Sequence, residues 1–104
     1  MPIESRNWMM VPLTEDAIRA AHQPKGHFRV RCAKYPPGTR FSGSMRAGRC
    51  YVIRGACRYD FGDRVELTAG QFADLPEGGY ELEVLGNEAV DLVLVRELPV
   101  EFRT

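Results

Sequence analysis

The sequence predicts an all-β sandwich or barrel with one short helix near its amino terminus. From His27 onward, apolar and polar residues alternate with a period of two, which is typical of half-buried strands. Roughly eight or nine such segments follow one another about every ten residues, as in sandwiches and barrels. Glycine, proline and aspartate separate them, and these residues favour turns. The only helix-like segment precedes residue 27.

The amino-terminal segment is the least regular part of the chain. Residues 6–11 are predicted as a short edge strand, which Pro12 ends. Thr14 is a suitable N-cap, and acidic residues follow it in the first turn, where the helix dipole favours them. We therefore expect a helix over residues 14–22, ended by the turn-forming residues 23–26.

The barrel strands follow from the alternation and the turn signals. In the first of them the apolar residues Phe28, Val30 and Cys32 alternate with Arg29, Arg31 and Ala33. We interpret the apolar set as the buried face and the arginines as part of a solvated face. The further predicted strands are residues 48–54, 56–61, 64–68, 71–75, 80–85 and 89–98.

Composition limits the class of protein. A chain of 104 residues makes one domain, with an irregular segment over residues 1–26 and a barrel over 27–98. The 14 basic and 14 acidic residues cancel, so we expect no nucleic-acid partner, which usually needs a net basic surface. No apolar run approaches the roughly 20 residues of a membrane span, and we expect no membrane partner. The first ten or so residues lack the sections of a signal peptide.

Three cysteines, Cys32, Cys50 and Cys57, form neither a disulfide framework nor a zinc motif, which predicts a cytoplasmic protein. We interpret them as small buried residues on strands. Most basic residues lie before the middle of the barrel, and most acidic residues lie after it. If the two halves interleave, opposite charges are expected to meet across the barrel surface.

Several short motifs resemble those of one known family. Residues 36–41 read Pro-Pro-Gly-Thr-Arg-Phe, and residues 51–55 read Tyr-Val-Ile-Arg-Gly. Gly70, Pro76 and Gly78 follow in the spacing of a second motif. Together they resemble the cupin superfamily over residues 35–98. The resemblance implies a double-stranded β-helix, or jelly-roll, barrel with one short N-terminal helix.

The resemblance also shows what the sequence lacks. In metal-binding cupins the first motif supplies two histidines and a glutamate, and the second supplies another histidine. Here residues 42–48 read Ser-Gly-Ser-Met-Arg-Ala-Gly, and Gly48 stands at the position of the glutamate. We therefore expect no metal and no other cofactor.

The second motif leaves two strand registers open. Motif counting sends Glu81 and Glu83 into the barrel, whereas the burial cost of two carboxylates favours Tyr80, Leu82 and Val84 inside. A shift of one residue exchanges the two faces.

The candidate ligand-binding residues lie near the shortened first motif and the second one. Cys50 shares an inward face with Val52, and Arg40 and Arg46 flank the shortened turn, where a guanidinium can hold a carboxylate or phosphate. The predicted set is Ser42, Ser44, Arg46, Cys50, Tyr80 and Glu81. His22 is expected to stabilise the helix end.

These residues are compatible with three functions. The first is metal-independent binding or sensing of a small molecule, for which the arginines suggest an anionic group. The second is an isomerase, an epimerase or an atypical metalloenzyme with Glu81 as base or ligand. The third is a dimerisation module without a pocket, in which Tyr51 and Ile53 cover a partner sheet. A homodimer is expected, and whether the chain is an enzyme stays open.

Overall fold

The computed structural model describes residues 3–8, 13–22 and 27–98. Within them lie one helix and nine strands. Of the predicted strand at 6–11, Arg6 and Asn7 form a strand, and residues 9–12 lie outside the described part. The elements are β1 (Arg6–Asn7), α1 (Glu15–Ala21), β2 (Phe28–Tyr35), β3 (Arg40–Met45), β4 (Gly48–Arg54), β5 (Ala56–Asp60), β6 (Arg64–Thr68), β7 (Gln71–Leu75), β8 (Gly78–Leu85) and β9 (Val90–Glu97).

The strands form two antiparallel sheets. One has five strands in the order β1-β7-β4-β9-β2, and the other has four in the order β3-β8-β5-β6. Most connections cross from one sheet to the other, and among the described strands only β5 and β6 are neighbours both in sequence and in a sheet. The predicted jelly-roll architecture is therefore confirmed.

Helix α1 begins as the sequence predicts. The Thr14 hydroxyl accepts a hydrogen bond from the backbone N–H of Ala17 (3.1 Å), which satisfies one of the unpaired amides of the first turn. Arg19 donates to Glu15 one turn earlier (2.8 Å). Ile18 is fully buried and joins the helix to the outer face of the five-stranded sheet.

Two apolar clusters lie on opposite faces of the five-stranded sheet. The larger one fills the space between the sheets, and its buried members are Cys50, Val52, Cys57, Tyr59, Val65, Leu67, Ala73, Leu75, Leu82, Val84, Val90 and Leu92. The smaller one lies outside, and its buried members are Ile18, Tyr51, Val93 and Val95. Strands β4 and β9 contribute to both clusters, so both of their faces are buried.

None of the described residues forms a helix long and apolar enough to cross a membrane.

Candidate functional site

Strand β2 turns its arginines toward the barrel, contrary to the interpretation of its alternation as an apolar inner face. Phe28 and Val30 pack against the outer cluster beneath α1, whereas Ala33 and Tyr35, on the other face of β2, pack against the core between the sheets. Arg29 and Arg31 share that inner face because side chains alternate along a strand. Ile18 of α1, Trp8 and Leu13 cover the apolar face of β2 from outside the barrel, so this face does not point inward as expected.

A cavity of about 380 Å³ opens at the end of the barrel where these arginines lie. We call it the barrel mouth. Strands β2 and β9 form one wall, and the end of β3 with the following turn forms the other. Its lining residues are Arg29, Arg31, Ser44, Met45, Arg46, Gly48, Leu94, Val95 and Arg96.

The charges of the mouth are of one sign. Four lining residues are arginines, and no lining residue is acidic. Arg29 lies directly opposite Arg96 in the antiparallel β2–β9 pair, and Arg31 lies opposite Leu94. Like charges directly opposite each other in a sheet are destabilising. The fold therefore holds an unfavourable concentration of positive charge at this one position.

The other charged strand residues show how different this arrangement is. The predicted meeting of early basic and late acidic residues is confirmed on the outer surface, in the ion pairs Lys34–Asp91, Arg40–Glu81, Arg49–Asp74, Arg58–Glu66, Arg58–Glu83 and Arg64–Asp60. Among the described residues, none of the four mouth arginines forms such a pair. The guanidinium groups of the mouth are thus available to donate hydrogen bonds to a bound acceptor.

Strand β8 adopts the register that burial cost favours. Leu82 and Val84 are buried between the sheets, and Tyr80 packs against the same core. Glu81 lies on the outer face, where its carboxylate accepts hydrogen bonds from Arg40, one of them from Nε at 2.9 Å. The alternative with Glu81 inside is therefore wrong, because this exposed pairing avoids the desolvation of a carboxylate.

Neither carboxylate of β8 is placed as a general base inside the barrel. The Glu81 side chain is 43% exposed, and Glu83 is bound to Arg58 on the same outer face. Both lie on a charged surface together with Asp60 and Arg64.

The structure brings only part of the predicted ligand-binding set to the mouth. Ser44 and Arg46 line it, whereas Ser42 is exposed and lies opposite Glu81 on the outer face. Tyr80 is half-buried on the inner face. Burial raises the pKa of its hydroxyl, and the positive charge of Arg31 opposes this rise only in part. The hydroxyl therefore stays neutral at physiological pH.

Cys50 is part of the core, as the interpretation of the cysteines as buried residues expects. It is 0% exposed, and its thiol donates a hydrogen bond to the Tyr59 hydroxyl (3.6 Å). Burial raises the pKa of this thiol, which disfavours the thiolate that nucleophilic or metal-binding chemistry requires. Cys57 is buried as well, but Cys32 is exposed, which corrects the expectation that all three cysteines are buried.

Aromatic side chains close the barrel interior next to Tyr80. Its ring lies 5.5 Å from that of Tyr59 and 5.6 Å from that of Phe61, measured between centroids. A Cβ on Gly43 would come within 3.1 Å of the Tyr80 hydroxyl, so the glycine leaves the room that this side chain occupies. The interior is thus packed with aromatic rings beside the arginine-lined mouth.

The residues present do not fit the divalent-metal site of metal-binding cupins. At Gly48, where that family has its glutamate, a Cβ would lie 2.8 Å from the backbone oxygen of Val95, so this backbone does not admit a side chain there. Within residues 3–8, 13–22 and 27–98, no three His, Cys, Asp or Glu side chains gather in a group able to hold a metal ion.

The outer face of β4 is covered by the chain itself. Tyr51 is 1% exposed and lies against Trp8 and Phe72, and its hydroxyl is 2.9 Å from Nε2 of His22. Ile53 is half-buried against the same cluster. These two residues are therefore not the exposed apolar face that the dimerisation hypothesis requires, because Ile18 of α1, Trp8 and Leu13 pack on it. Homodimerisation itself stays a prediction.

Several solved structures have this fold. The cupin domain of Schizosaccharomyces pombe Cnp3 matches with a TM-score of 0.62 and 13% identity, over 77% of this chain and 62% of that one. A cupin 2 domain-containing protein from Halorhodospira halophila matches with a TM-score of 0.60 and 14% identity, over 96% of this chain and 72% of that one. The Clostridium difficile EutQ protein matches with a TM-score of 0.59 and 16% identity, over 70% of this chain and 58% of that one.

These likenesses confirm the cupin resemblance at the level of the fold: the chain is a cupin-like jelly-roll barrel. It spans less than two thirds of the Cnp3 and EutQ structures. No protein-family model and no curated protein matches the sequence.

Three of the four mouth arginines lie in the cavity against or without a prediction from the sequence. The alternation of β2 predicts a solvated face for Arg29 and Arg31, and no motif points to Arg96. A usable signal was present in β9, where Leu92 and Leu94 continue the inner face and Arg96 follows them at the next inward position. A charged residue that continues the buried face of a strand indicates a polar site at the end of the barrel.

Proposed function

We propose that this chain is a binding or sensing barrel that takes a small anionic molecule at its mouth. One observation carries the proposal: Arg29, Arg31, Arg46 and Arg96 surround one cavity without an acidic lining residue. Guanidinium groups form strong, directional hydrogen bonds with carboxylates and phosphates. A bound anion would offset the repulsion between these arginines. The cavity, about 380 Å³, has the size of a small-molecule site.

The electrostatics favour binding over acid–base catalysis. A guanidinium stays protonated throughout the physiological pH range and does not exchange protons with a substrate. Among the described lining residues no carboxylate, histidine or cysteine is available to move a proton. The site is thus suited to hold an anion and to register its presence.

The test is anion binding measured by calorimetry with inorganic phosphate and with acetate, in wild-type protein and in Arg31→Gln. We expect Arg31→Gln to weaken binding about tenfold or more, because hydrogen bonds to charged groups contribute about 1.5–3 kcal/mol. The matched control is Arg40→Gln, which removes one arginine from the outer face of the same barrel, where it pairs with Glu81.

Arg40→Gln is expected to leave the affinity within about twofold, since exposed ion pairs contribute little. Two results contradict the proposal: no binding of either anion to the wild-type protein, or an equal loss of affinity in both variants. The equal loss would indicate a response to net charge alone.

A further inference from the structure

The arrangement of the mouth also bears on the kind of anion, and this inference rests on the proposed function. Three arginines lie on one wall: Arg29 and Arg96 face each other across the β2–β9 pair, and Arg31 lies two residues farther along the same face. Arg46 reaches the cavity from the turn after β3, which belongs to the other sheet. A bound group is therefore met by donors from two sides.

A single carboxylate does not use this arrangement fully. Its two oxygens lie in one plane, and one guanidinium can bind both of them side by side. A phosphoryl group has three acceptor oxygens in a pyramidal arrangement and carries a charge of about −1.5 to −2 near neutral pH. Donors that approach from two sheets match a pyramidal dianion better than a planar monoanion.

The rest of the lining is apolar. Met45 and Leu94 line the cavity and are half-buried against the core between the sheets. Neither offers a hydrogen bond of consequence, and the flexible methionine side chain adapts to apolar groups of different shape. These two residues fit the non-ionic part of a ligand whose charged end lies among the arginines.

We propose that the mouth recognises an organic phosphate, with the phosphoryl group among Arg29, Arg31, Arg46 and Arg96 and a short apolar portion against Met45 and Leu94. The charge of the phosphoryl group offsets the repulsion between Arg29 and Arg96, and contact with the apolar portion adds burial of nonpolar surface.

Calorimetry with four probes at one ionic strength tests this: n-butyl phosphate, inorganic phosphate, pentanoate and succinate. We expect n-butyl phosphate to bind most tightly, at least about tenfold more tightly than pentanoate, which has a comparable apolar chain but one charge. It is also expected to bind several-fold more tightly than inorganic phosphate because of its apolar chain. In Leu94→Ser this last advantage should disappear, so that n-butyl phosphate and inorganic phosphate bind with similar affinity.

The outcomes separate the two proposals. If none of the four probes binds, both the proposed function and this inference fail. If pentanoate binds as tightly as n-butyl phosphate, or succinate binds more tightly, the anion site stands and the organic-phosphate assignment is overturned. If inorganic phosphate binds as tightly as n-butyl phosphate, the apolar part of the assignment is overturned.

A pH series provides an independent readout. Phosphoryl groups lose their second charge near pH 6, so n-butyl phosphate should bind more weakly at about pH 5.5 than at about pH 7.5. Guanidinium groups in general keep their charge over this range, and the Tyr80 hydroxyl stays neutral because burial raises its pKa. Sulfate, which keeps both of its charges over this range, controls for changes in the charge of the protein. If n-butyl phosphate and sulfate showed the same pH dependence of binding, the inference that the mouth recognises a doubly charged phosphoryl group would be overturned.

Discussion

The pair Arg29 and Arg96 allows a direct test of whether the mouth is held at a cost in stability. Neutralising one member, as in Arg29→Gln, removes a like-charge pair that lies directly opposite in the β2–β9 ladder. Two unit charges about 6 Å apart in a solvent-dominated medium repel by about 0.7 kcal/mol. Cross-strand pairs of this kind contribute about 0.2–1 kcal/mol. We therefore expect Arg29→Gln to be more stable than the wild-type protein by about 0.5 kcal/mol.

The assay is urea unfolding followed by circular dichroism at low ionic strength. For a domain of this size the same gain raises Tm by about 2–4 °C. Near 1 M salt the Debye length falls to about 3 Å, so the difference between variant and wild type should vanish. Arg29→Lys keeps the charge and is expected to show no gain. Phosphate should raise the Tm of the wild-type protein more than that of Arg29→Gln, because it binds the native state.

A lower stability of Arg29→Gln than of the wild-type protein at low salt would contradict the repulsion between Arg29 and Arg96. The same gain in Arg29→Lys would also contradict it, since packing rather than charge would then explain the effect. A gain that persists unchanged at high salt would lead to the same conclusion.

Three further predictions concern the rest of the fold. Gly55→Ala should lose at least about 1–3 kcal/mol in urea unfolding, because Gly55 has φ 83° and a Cβ there would lie 2.5 Å from the backbone oxygen of Ala89. Gly62 has φ 99° and nothing within 4 Å of an added Cβ, so Gly62→Ala should lose less stability. An equal loss in both variants would contradict an effect of the clash at Gly55. Burial, and to a smaller extent the charge of Arg49, lowers the pKa of His22. Neutral His22 therefore stabilises the fold fully above the ordinary histidine pKa, and this stabilisation is lost as the pH falls through the lowered pKa. His22→Gln should flatten that part of the pH profile of Tm, and an unchanged profile would contradict the assignment. Iodoacetamide should label Cys32 alone in the native protein, as mass spectrometry would show, because the other two cysteines are buried; rapid native labelling of all three would contradict their burial.

Local signals were sufficient for most of the secondary structure. The cap at Thr14 and the acidic first turn fix the start of α1 without reference to the rest of the chain. Alternation and turn residues predict the barrel strands other than β3 (Arg40–Met45), because they report on neighbours in sequence. Gly55, Gly70 and Gly78 all have positive φ, in agreement with the turns that the motifs imply.

The site depended on contacts between distant parts of the chain. Alternation divides β2 into two faces, but it does not say which face meets the barrel, and α1 decided this by covering Phe28 and Val30. The approach of Arg96 to Arg29 follows from pairing between the first and last strands of the barrel. Arg46 is the exception, because it flanks the shortened turn of the first motif, and that turn is visible in the local sequence.

The sequence by itself determined the all-β class, the short capped helix, the cupin-like order of strands and the absence of the usual ligand residues of that fold. Only the tertiary structure decided that Glu81 lies in solvent beside Arg40, and that the arginines of β2 and β9 meet in one cavity. The physical reason is that backbone preferences and burial patterns are local, whereas electrostatic environment depends on which strands become neighbours. A chain with zero net charge thus folds into a barrel with one region of concentrated positive charge.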